Sequence, residues 1–162
     1  MLKLKPIKIT FSILLVSLTS LFKINAQTFD FNLQSSSLTF DYSTLNNFQT
    51  SRTTTKAFTL NVTNSKKGQY NVYCKLEPIN NFNIGLTPTS LFSIKLNSAN
   101  FTISGSSFLT KPLGLSDILL LEVNGRSRKS DIIYFDLILN PLEFIYVPNY
   151  YNYNFIFTLT EL

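Results

Sequence analysis

The sequence predicts an all-β protein folded as an antiparallel β-sandwich of about seven to nine strands. Phe and Tyr are frequent, with 15 and 8 copies among 162 residues, and aromatic residues suit the half-buried faces of a sheet. Short segments alternate apolar and polar side chains, which is the period of a strand. No sustained apolar stripe with the 3.6-residue period of a helix follows residue 26.

The first 26 residues are predicted to be a secretory signal peptide. Three lysines lie among the first eight residues, an apolar run extends from Ile9 to Phe22, and the segment closes on the small residue Ala26. This order of charged, apolar and small residues is typical of a leader, and the run is shorter than the about 20 residues of a membrane span. An uncleaved anchor is the alternative. We therefore expect a secreted, periplasmic or cell-surface protein whose single domain is residues 27–162.

Much of the positive charge belongs to the predicted leader. The chain has 14 Lys and Arg against 9 Asp and Glu, a net charge of +5. Four of the lysines and none of the acids lie in residues 1–26, so residues 27–162 hold 10 basic and 9 acidic groups, a net charge of +1. A nucleic-acid partner would need a concentrated basic surface. We expect no nucleic acid as a partner, and no integral membrane segment after the leader is removed.

The alternating segments are the predicted strands. In chain order, their apolar positions are Phe29, Phe31 and Leu33; Leu38, Phe40 and Tyr42; Phe58, Leu60 and Val62; Tyr70, Val72, Cys74 and Leu76; Phe92, Ile94 and Leu96; Phe101 and Ile103; Ile133, Phe135, Leu137 and Leu139; and Phe155, Phe157 and Leu159. The run Ile118–Val123 is almost continuously apolar, which predicts a central strand covered on both faces.

Turn-forming residues separate these segments. Asn64–Gly68 is typical of a hairpin loop, and Asn124–Gly125 begins a polar loop that ends at Ser130. Five prolines follow residue 27, and each falls at or between predicted strand ends, where a missing N–H costs little. Short strands spaced by such turns predict an immunoglobulin-like sandwich.

The residue types that are missing exclude several chemistries. The chain has no histidine, which excludes Ser-His and Cys-His nucleophilic pairs and His-containing metal sites. Cys74 is the only cysteine; it shares the apolar face of its segment, which predicts a buried, inert thiol. Asp131 and Asp136, like Asp117 and Glu122, are five residues apart, so on one strand they point to opposite faces. We expect these carboxylates to be solvated, and we expect no enzyme, metal or cofactor.

Two polar clusters are candidate ligand sites. Arg126, Arg128 and Lys129 lie in one predicted loop, and Lys66 and Lys67 lie in another. Their charges suit an acidic glycan or a lipid headgroup. The alternative is that they only keep the tip of a hairpin in water.

The second cluster is aromatic. Tyr146, Tyr150, Tyr151 and Tyr153 alternate with asparagines near the end of the chain. Aromatic faces beside amide groups suit stacking on a sugar ring and hydrogen bonding to it. The alternative is that the rings pack a loop onto the sandwich, with their hydroxyls at the wet rim.

The two ends of the predicted domain suggest assembly through strands. Phe29, Phe31 and Leu33 form an alternating strand at the new N-terminus, and Tyr153–Leu162 forms another at the end. With the leader and the sandwich, this layout resembles bacterial fimbrial subunits of the chaperone-usher kind and, more broadly, surface-adhesin sandwiches. The resemblance implies that a subunit inserts its N-terminal strand into a neighbour, with those three residues as the inserted side chains. The alternative is that the strand pairs within its own domain.

We therefore expect an exported, non-catalytic surface or extracellular protein with a structural or interaction role. Its expected partners are other protein subunits or surface glycans. Assembly through strand edges is the leading hypothesis, and a carbohydrate-binding module that uses the tyrosine cluster is the alternative.

Overall fold

The computed structural model describes residues 29–35, 38–40, 44–64, 69–79, 90–103, 105–124, 130–142 and 151–162. The predicted signal peptide, residues 1–26, lies outside these ranges. Within them, no helix is long and apolar enough to cross a membrane.

The described residues form eight strands, one short α-helix and one 3-10 helix. In chain order these are β1 (Phe29–Ser35), α1 (Leu45–Gln49), β2 (Arg52–Asn64), β3 (Tyr70–Pro78), β4 (Phe92–Ala99), the 3-10 helix (Gly105–Phe108), β5 (Lys111–Pro112), β6 (Ile118–Val123), β7 (Ser130–Leu139) and β8 (Tyr153–Glu161). The predicted all-β class and strand number are confirmed.

The strands form two antiparallel sheets that pack face to face. The larger sheet has the order β1-β2-β7-β4-β5, and the smaller sheet has the order β6-β3-β8. Aromatic rings join the two sheets: the ring of Phe58 on β2 lies 5.1 Å from that of Phe155 and 5.2 Å from that of Phe157, both on β8. Facing sheets with interdigitated side chains define a sandwich.

The strand order agrees with the immunoglobulin arrangement only in part. A constant-type immunoglobulin domain has strands A, B, E and D in one sheet and C, F and G in the other. Here β1 and β2 are neighbours, as A and B are, and β3 lies in the second sheet, as C does. On its other edge β2 pairs with β7, whereas strand B of an immunoglobulin domain pairs with E, the fifth strand. The difference arises because the chain crosses to the smaller sheet for β6 before β7 returns to the larger one.

The alternating pattern correctly predicts which side chains form the core. Along β3 and β7, burial alternates residue by residue over most of each strand. Cys74 is 0% exposed, as its phase predicted. In these two strands the core positions therefore follow from the two-residue period of a strand.

Three predicted features differ from the structure. Ile118–Val123 is an edge strand rather than a central one, and Leu119 is 38% exposed. An apolar run alone does not show whether a strand pairs with other strands along both of its edges or along one. Leu38–Phe40 alternates but is not a strand; the ring of Phe40 instead packs 6.0 Å from that of Phe92. Phe101 and Ile103 lie outside the strands but pack against the core.

Candidate functional site

A cleft opens between β1 and β8, which are edge strands of different sheets on the same side of the sandwich. Its volume is about 820 Å³. The larger sheet contributes the side chains of Leu33, Phe58, Phe92 and Leu139, and β8 contributes Tyr153–Ile156. We call this side of the molecule the β1–β8 side.

The cleft follows the main-chain edge of β8. Four consecutive β8 residues line it, although alternate side chains of a strand point to opposite faces. Residues of both faces can border one cleft only where the edge of the strand itself forms the wall. Among the described residues β8 pairs with β3 alone, so no described strand lies along its other edge.

The interior of the cleft is a set of aromatic rings in contact. The ring of Phe92 lies 5.5 Å from that of Tyr153 and 5.1 Å from that of Phe155, both nearly edge to face. Edge-to-face contacts are favourable beyond simple burial. The Arg52 guanidinium lies over the ring of Phe40, 5.8 Å from its centre. The apolar surface is thus held in place before any ligand binds.

No described residue that lines the cleft carries a charge. Its polar groups are those of Ser35, Thr39, Asn152 and Asn154, together with the hydroxyls of two tyrosines. Polar and apolar groups contribute nearly equal shares of the surface that these residues expose to the cleft. The lining therefore suits neutral groups that combine apolar and hydrogen-bonding parts.

On the opposite side of the sandwich, described residues join the two sheets by hydrogen bonds. Lys111 Nζ on β5 donates hydrogen bonds to the carbonyls of Leu119 (2.6 Å) and Leu120 (3.1 Å) on β6. Burial lowers the pKa of Lys111. In the segment that connects β5 to β6, Leu113 is buried, and its N–H donates to the Phe92 carbonyl at 2.8 Å. We call this the β5–β6 side.

The two sides also differ in how their edge strands are built. β5 has two residues and β6 has six, and the β3–β6 ladder is interrupted between Val72 and Tyr73. Short strands, irregular pairing and lysines are features that protect sheet edges from further pairing. β1 and β8 pair without interruption over seven and nine residues, and β8 carries no charge from Tyr153 to Thr160.

The strand-exchange candidates Phe29, Phe31 and Leu33 lie on β1, which pairs with β2 of its own domain. The register places Phe31 opposite Val62. Val62 is 1% exposed but Phe31 is 42% exposed. Phe31 therefore points to the core side of the larger sheet at a position that nothing described in the smaller sheet covers.

The tyrosine cluster contributes to the same cleft. Tyr151 and Tyr153 line it together with Asn152 and Asn154, while Tyr146 and Tyr150 lie outside the described residues. The Asn152 carbonyl accepts a hydrogen bond from the N–H of Ile79 at 2.9 Å. The structure thus brings two predicted clusters, the first strand and the tyrosines, to one place.

The basic candidates Arg126, Arg128 and Lys129, like Lys66 and Lys67, lie outside the described residues. The strands that flank their two loops pair with each other, Thr63 with Ser130 and Tyr70 with Val123. The described strand ends that flank residues 65–68 and 125–129 therefore lie at one end of the sandwich.

The thiol and the carboxylates do not form a reactive centre among the described residues. Burial, with a smaller contribution from Asp117, raises the pKa of Cys74 to about 12, so the nucleophilic thiolate is scarce near neutral pH. No group of three or more potential metal ligands occurs in the described ranges. Asp131 and Asp136 point to opposite faces, as predicted, but Asp131 is 5% exposed rather than solvated.

Most of the cleft could not be found from sequence. Phe58 and Phe92 are core positions of their own strands, and nothing local shows that they face an opening. Lys111 has no motif around it, and its role depends on the position of β6. Neither known protein families nor curated protein sequences give a match to this chain.

Proposed function

We propose that this protein is an exported, non-catalytic interaction protein that associates through the strand edges of its β1–β8 side. The observation that supports this is the contrast between the two sides. The β5–β6 side has short, interrupted edges and a lysine on the carbonyls of β6. The β1–β8 side has two long strands with regular pairing beside a cleft whose described lining is uncharged. An unprotected edge invites pairing with another chain.

The proposal includes a location at the cell surface or outside the cell. It is supported by the leader-like layout of residues 1–26. A structural, adhesin-like or fimbria-like role agrees with a small sandwich that binds through its edges. Other protein subunits are then the expected partners.

A matched pair of lysine substitutions tests the proposal. Thr158 on β8 and Leu119 on β6 both pair with Tyr73, one on each side of β3. Thr158→Lys places a charge on the open edge and Leu119→Lys places one on the protected edge. Sedimentation equilibrium of the purified protein should show self-association that Thr158→Lys weakens about tenfold or more, because edge charges oppose strand pairing.

Leu119→Lys should leave that association unchanged. Equal effects of the two substitutions would show that the β8 edge is not the contact. A wild-type protein that stays monomeric at high concentration would refute assembly through its own edges.

Carbohydrate binding is the second candidate, and one observation favours it. Two tyrosines and two asparagines of the predicted cluster line one cleft, and aromatic faces with nearby amides can hold a sugar ring. Tyr151→Ala should then abolish retention on an array of neutral oligosaccharides. Tyr134→Ala is the control, because Tyr134 lies on β7 outside the cleft, beneath the ammonium of Lys56. Equal retention of both variants and the wild type would remove this candidate.

A further inference from the structure

We propose that the β5–β6 side is a lipid-binding surface that inserts four apolar side chains shallowly into a neutral bilayer. These side chains are Phe108, Leu109, Leu115 and Leu119, and we call them the apolar patch. The patch is distinct from the β1–β8 side, so this proposal is independent of the association proposed above. It follows from the position of the exposed apolar side chains, the bonding of the main chain beneath them and the charges around them.

Exposed apolar side chains are concentrated in one part of the chain. Seven large apolar side chains are exposed among the described residues, and the four of the apolar patch lie within positions 108–119. Leu109 and Leu115 are each more than half exposed. Single exposed apolar residues are common on protein surfaces, whereas clustered ones mark surfaces that bind apolar partners or membranes.

The apolar patch extends over one side of the sandwich. The 3-10 helix, which ends at Phe108, contacts β4 of the larger sheet and β6 of the smaller one. After β5, the Gly114 carbonyl accepts a hydrogen bond from the N–H of Leu76 on β3 at 2.8 Å. The chain between the 3-10 helix and β6 therefore passes from the larger sheet to the smaller one along the β5–β6 side.

The main chain beneath the patch is already hydrogen-bonded. Lys111 Nζ donates to the carbonyls of Leu119 and Leu120. The N–H of Leu113 and the carbonyl of Gly114 bond to β4 and β3. Peptide groups enter an apolar environment at low cost only where such bonds replace those to water. A partner that added a strand to β6 would instead need free carbonyls, so a lipid surface fits the patch better than a strand does.

The charges around the patch favour neutral lipid. Lys111 is the only charged residue in positions 105–116, and its ammonium is engaged by the β6 carbonyls. The exposed Asp117 and Glu122 lie on either side of Leu119 in the chain and add negative charge. Attraction to anionic lipid needs a cluster of basic residues. Binding should therefore depend on apolar burial, at the depth of about 5–10 Å that interfacial side chains reach.

A matched pair of leucine substitutions tests the proposal. Leu109 is 64% exposed within the patch, and Leu162 is 61% exposed outside it. In flotation of the purified protein with phosphatidylcholine vesicles, Leu109→Ser should lower the partition coefficient about tenfold, because burial of one leucine side chain is worth at least that factor. Leu162→Ser should leave it unchanged.

Both variants have the same N-terminus, so a retained leader would affect them equally. Equal partition coefficients of the two variants would overturn the proposal. A wild-type protein that does not float with the vesicles would also overturn it.

A tryptophan probe locates the contact with lipid. The chain has no tryptophan, so Phe108→Trp and Phe31→Trp each introduce a single one at rings of similar exposure on the two sides of the sandwich. Vesicles with brominated acyl chains should quench the emission of Phe108→Trp and shift it to shorter wavelength. The emission of Phe31→Trp should not change. The reverse result would assign the lipid contact to the β1–β8 side and contradict the proposal.

The outcomes distinguish this proposal from the association through strand edges. Thr158→Lys should weaken self-association and leave flotation unchanged. If no variant floats and Leu109→Ser weakens self-association, the apolar patch is a contact between copies and the lipid proposal is wrong. Flotation that requires anionic lipid and is lost at about 1 M NaCl would assign the membrane contact to basic residues and overturn the proposal as well.

Discussion

Tyr70 and Asp131 form a polar pair inside an otherwise apolar end of the sandwich. Both are buried, and the Tyr70 hydroxyl donates to Asp131 Oδ2 at 2.7 Å. A buried carboxylate is stable only where hydrogen bonds replace its water. The pair joins β3 of the smaller sheet to β7 of the larger one, so it fixes the relative position of the two sheets.

Tyr70→Phe should lower the free energy of unfolding by about 1.5–3 kcal/mol, the usual contribution of a hydrogen bond to a charged group. Tyr73→Phe is the control. The Tyr73 hydroxyl accepts a 3.3 Å bond from Asn71 on the partly exposed face of the same strand, so its loss should cost about 0.5–1 kcal/mol. Urea unfolding at constant m-value measures both. Equal losses of unfolding free energy in the two variants would show that the buried Tyr70–Asp131 hydrogen bond stabilises the fold no more than the partly exposed one.

The Cys74 thiol predicts a loss of stability at alkaline pH. Burial raises its pKa from 9.0 to about 12, so above pH 9 the unfolded chain loses a proton that the folded chain keeps. Stability therefore falls as pH rises from about 9 to about 12. At pH 10.5 the loss should be about 2 kcal/mol, from about 1.36 kcal/mol per pH unit.

Cys74→Ala isolates this effect from the other groups that titrate at high pH. The variant lacks the thiol, so the stability gap between wild type and variant should narrow by about 2 kcal/mol between pH 7.5 and 10.5. Chemical unfolding at the two pH values measures the gap. A gap that stays constant would contradict the burial of the thiol.

At this scale, the sequence predicts apolar burial well and polar burial poorly. The phase of Cys74 within its segment was enough to place it in the core. Asp131 lies on the core-facing side of β7, but the alternation gave no reason to bury a carboxylate. Its burial depends on a hydroxyl 61 residues away in the chain, and such a distant pairing has no local signal.

The elements show where the alternating pattern stops being informative. β2 begins at Arg52, six residues before the first alternating position, Phe58. The pairing with β7 is shifted between Thr54 and Phe58, and Lys56 adopts a positive φ of 51° there. The Asp136 carboxylate accepts the N–H of Lys56 at 2.8 Å. A bulge of this kind breaks the two-residue period, so the sequence pattern missed the start of the strand.

Lys111 is the element-scale feature that closes the β5–β6 side. Lys111→Met keeps an apolar stem but removes the donors to the Leu119 and Leu120 carbonyls. We expect a loss of about 1–2 kcal/mol of stability and new self-association through β6. Lys111→Arg keeps donors and should show neither change. Sedimentation of Lys111→Met combined with Leu119→Lys should return the association to the wild-type level.

The absence of any added association in Lys111→Met would show that the lysine only stabilises the strand. In that case the short length of β6 and its interrupted pairing would be enough to protect the edge. The contrast between the two sides of the sandwich would then depend on strand geometry alone.

For the whole molecule, the two-sheet architecture was predictable and the arrangement of strands was not. Alternation places a side chain on one face of a strand, but it does not specify the neighbouring strand. The pairing of β2 with β7 joins residues that are about 70 to 90 positions apart. The cleft depends on such pairings, since its lining extends from Leu33 to Ile156. Only its tyrosines and its first strand had a signal in the sequence.

The charge of the whole molecule gives a test of how it associates. Residues 27–162 carry a net charge of +1, and the β8 edge is uncharged as far as Thr160. Association through main-chain hydrogen bonds and apolar contacts should therefore depend little on ionic strength. Raising NaCl from about 0.1 to 1 M shortens the Debye length from about 10 to about 3 Å, and the association constant should change less than about threefold.

Binding through the basic loops predicts the opposite result. The loops that contain Lys66, Lys67, Arg126, Arg128 and Lys129 hold half of the 10 basic groups of residues 27–162. Contacts made by these charges would be screened at 1 M NaCl. Loss of association at high salt would therefore assign the contact to these basic residues. Association that persists at 1 M NaCl and is weakened by Thr158→Lys would assign it to β8, because only the uncharged edge combines those two properties.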